Sequence, residues 1–376
     1  MNTYVDIHVI QNLPPSCVNR DDSGSPKSAV YGGVRRLRVS SQAWKRAPRL
    51  YFNEHLSKKN LGVRTKRVVE ILAAEIMAQA PDLEESAPSL AEDVFKAAKI
   101  KLSTPRGKKG SPQESGYLLF LSRSQVSRLA KLAISSARSG EALDAKATKK
   151  IFKEEQAIDV SLFGRMVADD TDLNVDAACQ VAHAISTHAA ENEYDFFTAV
   201  DDAKQESEDG EDAGAGMMGT VEFSSATIYR YATINIDMLR KNIGDNEAAL
   251  RALEVFINGF CLSMPTGKQN TFANRTLPDT VVVCVRGDQP VSLVGAFEKP
   301  IHTDSDRGYI TRSVEALSAH AEAVEKNYGT KPLHSFVVSL EKSAAVGSLG
   351  EPISFNDLVI QVHQIVSHRI TGQEQA

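Results

Sequence analysis

The run TVVVCVR at 280–286 constrains this chain more than any other stretch. It is almost continuously β-branched, so it reads as a central strand buried on both faces. Other strands are predicted around it. Residues 4–10 alternate Val5, Ile7 and Val9 against Asp6 and His8, which predicts a half-buried strand with His8 as a satisfied strand residue rather than a ligand. Further strands are predicted at 34–40, 222–236 and 333–340. Helical patterns cover 41–56, 247–264 (stopped by Pro265), 313–326 and 355–370, and Asp237 is read as the cap of a short helix ending near Gly244.

The middle of the chain differs. Residues 57–178 read as a mostly helical insertion, with helices at 65–79, 89–102, 124–138 and 145–156. A Gly/Pro/Ser-rich connector runs over 103–116. A further helix carrying His183 is predicted over 176–188. The segment 201–219 holds seven acids, one lysine and four glycines, too polar to pack, so 190–220 reads as two extended arms with an acidic tip. The loop 11–33 contains Pro14, Pro15, Gly24, Pro26, Gly32 and Gly33 and is expected to be irregular. Pro48 lies inside the 41–56 helix and is expected to kink or shorten it. The fold class is α+β.

At 376 residues the chain has room for two or three lobes. No apolar run approaches the roughly 18 residues of a membrane helix, and the start lacks a signal-peptide pattern. Cys17, Cys179, Cys261 and Cys284 are far apart, which argues against a zinc site or disulfide framework and suits a reducing cytoplasm. A net charge of −5 excludes a simple polycation, so any nucleic-acid contact must be local.

One such locality stands out. Residues 16–49 carry Arg20, Lys27, Arg35, Arg36, Arg38, Lys45, Arg46 and Arg49, opposed only by Asp21 and Asp22. Tyr31-Gly32-Gly33 forms a turn, and arginines alternate with Val34, Leu37 and Val39. Ser40-Ser41 then caps a helix presenting Gln42, Lys45, Arg46 and Arg49. A serine-capped helix start favours an anion. Lys45 and Arg49 are i,i+4 neighbours whose charges repel unless something negative lies between them, and a phosphate backbone answers that description. No hydrolase, metalloprotease, phosphate-loop or dinucleotide motif is present.

Several blocks carry a family resemblance. IHV, PSCVNRDD and YGGVRRLRVSSQAWKRA, followed by VSLFGRM at 160–166, VAHAISTH at 181–188, DFFTAVDD at 195–202 and EFSSATIYRYATIN at 222–235, resemble the backbone subunit of the type I-E CRISPR Cascade complex, the CasC family. GKQNTFA at 267–273 and VGAFEKP at 294–300 fit the same order. The resemblance implies a ferredoxin-like, RNA-recognition-type palm (1–56, a helix at 179–189, and 221–376). It further implies helical fingers at 57–178 and a projecting thumb at 190–220. It implies a non-catalytic subunit that polymerises head-to-tail on the guide RNA (crRNA) with other Cascade subunits and presents the guide to target DNA, with no cofactor, metal or membrane. By the same resemblance Arg20, Lys27, Ser40, Gln42, Lys45, Arg46 and Arg49 hold the RNA backbone. Phe196, Phe197 and Thr198 lie at the thumb base, and Arg165 and Met166 come from the GRM segment facing a displaced nucleotide. Phe196-Phe197 also reads as a core staple, and Met166 as a core methionine. Lys268, Asn270 and Arg275 are candidates for extra nucleic-acid contacts or a solvated loop. Two other classes stay open: a metal-dependent ribonuclease using Asp21 or Asp22, and a scaffold whose basic cluster binds a protein.

Overall fold

In a computed structural model the described residues are 2–57, 60–105, 111–167, 169–199, 217–304 and 306–372. The chain is α+β. Its main sheet is built on β1 (Tyr4–Ser16), which is antiparallel to β12 (Thr280–Arg286) on one side and to the long β11 (Met217–Asn235) on the other. Beyond β12 lie β13 (His334–Ser339) and β14 (Glu351–Pro352). Beyond β11 lie β8 (Cys179–Val181) and β9 (Ala184–Ser186), then β3 (Val34–Val39) and β2 (Ser28–Tyr31) at the edge.

The TVVVCVR strand is buried at every residue, as its composition demands. Val281, Val283 and Val285 join Val5, Ile7 and Val9 against a helical layer of α1 (Ser41–His55), α8 (Asn246–Leu262) and α12 (Phe355–Thr371). Val282 and Cys284 join Ile10 and Tyr229 on the other face, under α10 (Tyr309–Tyr328). β1 is therefore buried on both sides, not half-buried as its alternation suggested. Its polar side is satisfied internally. Asp6 accepts from Arg286 Nε at 2.7 Å, the Val291 N–H at 2.9 Å and the Tyr231 hydroxyl at 3.0 Å. His8 Nδ1 pairs with the Tyr229 hydroxyl at 2.8 Å, and burial pushes its pKa down to about 3, so the ring is neutral.

The predicted loop at 11–33 is partly regular. β1 runs on to Ser16, with a shift of register between Leu13 and Ser16, and β2 pairs with β3. Past Ile10 the strand has lost its β12 neighbour, so Pro14 and Pro15 fall where missing N–H groups and irregular pairing are tolerated. The helix expected over 176–188 is absent. That segment forms β8 and β9, because β11 offers an open edge to residues 179–181 and 185–186. Pro48 does not end α1. Its ring faces Gly259 of α8, where an added Cβ would lie 3.2 Å from the proline Cβ, and the close helix pair holds the segment helical. The short helix α7 (Ile236–Ile243) is capped by Asn235, whose Oδ1 accepts from the Met238 N–H at 2.9 Å, while Asp237 instead accepts from the Thr3 N–H at 2.8 Å.

Between α1 and β8 the chain builds its own hydrophobic core from α2 (Val68–Gln79), α3 (Ala87–Ala97), α4 (Arg123–Ser139) and α5 (Ala145–Lys153). The short pairs β4 (Gly62–Thr65) with β7 (Leu119–Ser122), and β5 (Leu102–Ser103) with β6 (Glu114–Ser115), complete it. α6 (Ile158–Phe163) leads back to the main sheet. β10 (Glu193–Ala199) pairs with residues 217–223 of β11 as a two-stranded ribbon; the acidic tip read between them lies outside the described residues.

Candidate nucleic-acid interface

Helix α1 is pinned at its start by three bonds. Ser40 Oγ accepts from the Ala43 N–H at 3.2 Å, the Ser40 N–H donates to Asn19 Oδ1 at 2.8 Å, and the Ser41 N–H donates to His183 Nδ1 at 2.9 Å. Burial, then Arg38 and Lys27, hold the His183 pKa below its ordinary value, which keeps the ring neutral and Nδ1 able to accept. Ser40 thus acts first as a helix cap, and its side chain is buried. His183 was missed as an α1 partner because the sequence placed it on a helix of its own.

The rest of α1 forms one wall of a cleft of about 1090 Å³. Gln42, Lys45, Arg46 and Arg49 line that wall. Opposite stand Arg64 of β4 and Lys66 just beyond it, neither singled out by the sequence reading. The third side is apolar, with Leu118, Phe120, Phe163 and Met166. Five cations besides the buried Arg165, and one lining acid, Asp176, therefore meet beside the exposed Leu118 and Met166. That combination suits a polyanion carrying flat, apolar rings.

The two GRM residues separate. Met166 projects into the cleft, 79% exposed, and is no core methionine. Arg165 lies at the cleft floor but is only 4% exposed. Its guanidinium donates to the carbonyls of Leu173, Phe120 and Phe152 at 3.0, 3.3 and 2.6 Å and to Gln156 Oε1 at 3.4 Å. Burial lowers its pKa to about 10, which leaves it charged. Arg165 holds the turn that presents Met166 and is not itself open to a ligand.

The remaining candidates lie outside this cleft. Arg20 is exposed in the 18–24 loop, bridged to Pro26, and Lys27 is half-buried with its carbonyl accepting from the Arg38 N–H. Asp21 is committed to its own loop: Oδ1 accepts from the Ser23 and Ser25 N–H groups, both at 3.0 Å, and from the Ser23 hydroxyl at 2.7 Å. Among the described residues no group of three or more His, Cys, Asp or Glu is placed to hold a metal ion. Lys268 lies in the loop after Pro265 at φ 44°, beside Gly267, which has no room for a Cβ against the Val18 carbonyl. Asn270 and Arg275 are exposed on that loop, and Arg46 reaches it through Thr266 Oγ1 at 3.5 Å.

On the ribbon, Phe196 and Phe197 divide. Phe197 covers Gly219 of the opposite strand, where a Cβ would lie 2.6 Å from its ring. Phe196 is 65% exposed and shares a face with Tyr194 and Thr198.

Comparison with solved structures places this fold among chains of CRISPR RNA-guided assemblies. A chain of a "CRISPR RNA-guided surveillance complex, pre-nicking" matches at 35% identity with a TM-score of 0.85, covering 96% of this chain and 99% of that one. A chain of a second CRISPR RNA-guided surveillance complex matches at 30% identity with a TM-score of 0.74 and the same coverage. No curated protein matches the chain. The family model described as CT1975-like protein matches residues 5–361, and the chain belongs to that family. The Cascade-type resemblance of the sequence stands on these matches. Among the described residues no helix is long and apolar enough to cross a membrane.

Proposed function

We propose that this chain is a guide-RNA-binding backbone subunit of a type I-E Cascade surveillance complex, acting in antiviral defence in the cytoplasm. The carrying observation is the cleft. It gathers Lys45, Arg46 and Arg49 from one helix, Arg64 and Lys66 from across the gap, and Met166 and Leu118 between them. Cations on two walls hold phosphates whatever the base, and exposed apolar groups accept bases without reading their edges. That suits a subunit that must carry any spacer and leave recognition to base pairing with target DNA. The kinship with chains of CRISPR RNA-guided surveillance complexes supports crRNA and other Cascade subunits as partners.

On this reading the main sheet is a ferredoxin-like palm, 57–178 the fingers and 190–220 the thumb. Copies add head-to-tail along the RNA, a heterologous contact that builds a filament whose length the guide sets. Arg20, Lys27, Lys268, Asn270 and Arg275 extend the path beyond the cleft, Phe196 and Thr198 meet the RNA from the thumb, and Arg165 and Phe197 support the surfaces that do. The subunit does not cut. The bonds on Asp21 Oδ1 favour a structural loop over a metal-activated water, and cleavage that needs Mg²⁺ and is lost in Asp22→Ala would reverse that assignment.

The test is to co-express the chain with a repeat–spacer RNA, purify it and sequence the RNA that survives nuclease. Spacer-derived survivors with regularly spaced exposed nucleotides are expected. An RNA-free protein that assembles normally after nuclease treatment would favour the protein-binding scaffold instead.

A further inference from the structure

Arg49 differs from the other cations of the cleft, among the described residues, in having a carboxylate behind it. Asp159, at the start of α6, is 3% exposed and lies beneath the junction of α1 and β4. Its Oδ1 accepts from the Gly62 N–H at 2.9 Å and from its neighbour's, Val160, at 3.1 Å. Its Oδ2 lies 3.8 Å from Arg49 Nε. That distance is too long for a hydrogen bond, and Arg49 Nε has no other hydrogen-bond partner. The guanidinium takes its orientation from elsewhere: its carbon sits over the Phe120 ring, 4.7 Å from the centroid. Asp159 therefore supplies charge to Arg49 but not direction, while its other oxygen anchors β4, the strand that carries Arg64.

We propose that Asp159 is an internal counter-anion that competes with a nucleic-acid phosphate for Arg49, so that neutralising it strengthens the grip of the cleft on RNA. This rests on the reading of the cleft as an RNA site. The charged groups facing Asp159 support the assignment. Arg49 comes from α1, and Arg46 and Arg64 stand near Arg49 from α1 and β4. Burial acts most strongly on Asp159 and raises its pKa to about 6, against the lowering by the Gly62 N–H, then by Arg49, the one charge among these groups, and by the Val160 N–H. The sign follows. A phosphate on Arg49 withdraws part of that positive field, raises the Asp159 pKa further and favours proton uptake. RNA binding then tightens as pH falls from 7.5 toward 5.5.

Asp159→Asn removes the charge and keeps an Oδ1 for the Gly62 and Val160 N–H groups. Binding of a fluorescein-labelled eight-nucleotide single-stranded RNA to the full chain is measured against salt at pH 7.5. D159N is expected to bind several-fold tighter at low salt, with a salt slope steeper by up to about 0.7, the increment of one further phosphate contact on a single strand. Equal or weaker binding with an unchanged slope overturns the proposal. In an Arg49→Met background the D159N gain should vanish; a gain that persists also overturns it. Should D159N fail to fold, the wild-type pH profile decides. Tightening below pH 7 that is lost in Arg49→Met supports the proposal, and a profile shared by both sinks it. A wild-type chain that binds no RNA under any of these conditions rejects the parent reading instead.

Discussion

Arg49 and Arg165 line the same cleft and do opposite work. Arg49 lies on a helix face, partly open, with a ring beneath it and a single carboxylate nearby. Arg165 lies in a turn where three carbonyls and an amide oxygen converge on its guanidinium. Both are arginines beside glycine- or proline-bearing segments, and composition does not separate them. The difference is what the backbone leaves unpaired. In a helix the carbonyls are spent on the ladder, so a side chain along it is free to face outward. Around the 163–175 turn the carbonyls of Leu173, Phe120 and Phe152 converge, and one long cation bonds all three at once.

The largest effect expected from this contrast is on stability. Arg165→Met deletes four buried hydrogen bonds, those to the Leu173, Phe120 and Phe152 carbonyls and to Gln156 Oε1, and should cost about 3 kcal/mol, seen as a drop in melting temperature. RNA affinity per folded molecule should barely change. A stable R165M variant with weakened RNA binding would erase the distinction and make Arg165 a contact.

A smaller split is expected on the ribbon. Phe196→Ala should weaken RNA binding by about 1–3 kcal/mol, the contribution of one base stacked on an aromatic ring, with melting unchanged. Phe197→Ala should do the reverse, because it uncovers Gly219 and loosens the ribbon rather than removing a platform. Equal losses of affinity in both variants would mean that the adjacent pair works as one surface.

The Asp159→Asn gain comes last in size, and it sharpens the contrast. It asks whether the open arginine is held back by the charge behind it.

What the sequence revealed follows from how local each cause is. TVVVCVR announced a buried strand because every residue agreed, and α1 was readable from its serine cap and its spacing. The polar side of β1 was not, since the partners that bury Asp6 and His8 are Arg286, Tyr229 and Tyr231, more than two hundred residues away. Segments 179–181 and 184–186 are too short for a period to declare itself, and the open edge of β11 decided them as strands. Arg64 and Lys66 looked like ordinary surface cations in GVRTKR; only the approach of β4 to α1 gives them meaning. The serine-capped basic helix marked one wall of the site, and the facing wall had no comparable signature.

The central claim is that α1 holds an RNA backbone without reading bases. Its most direct test is the Lys45→Ala, Arg49→Ala double variant, titrated against salt with several unrelated guide sequences. The account predicts one uniform loss of affinity for all of them and a slope shallower by about 1.4, two phosphate contacts at roughly 0.7 each. A loss confined to some guides, or an unchanged slope, would contradict it.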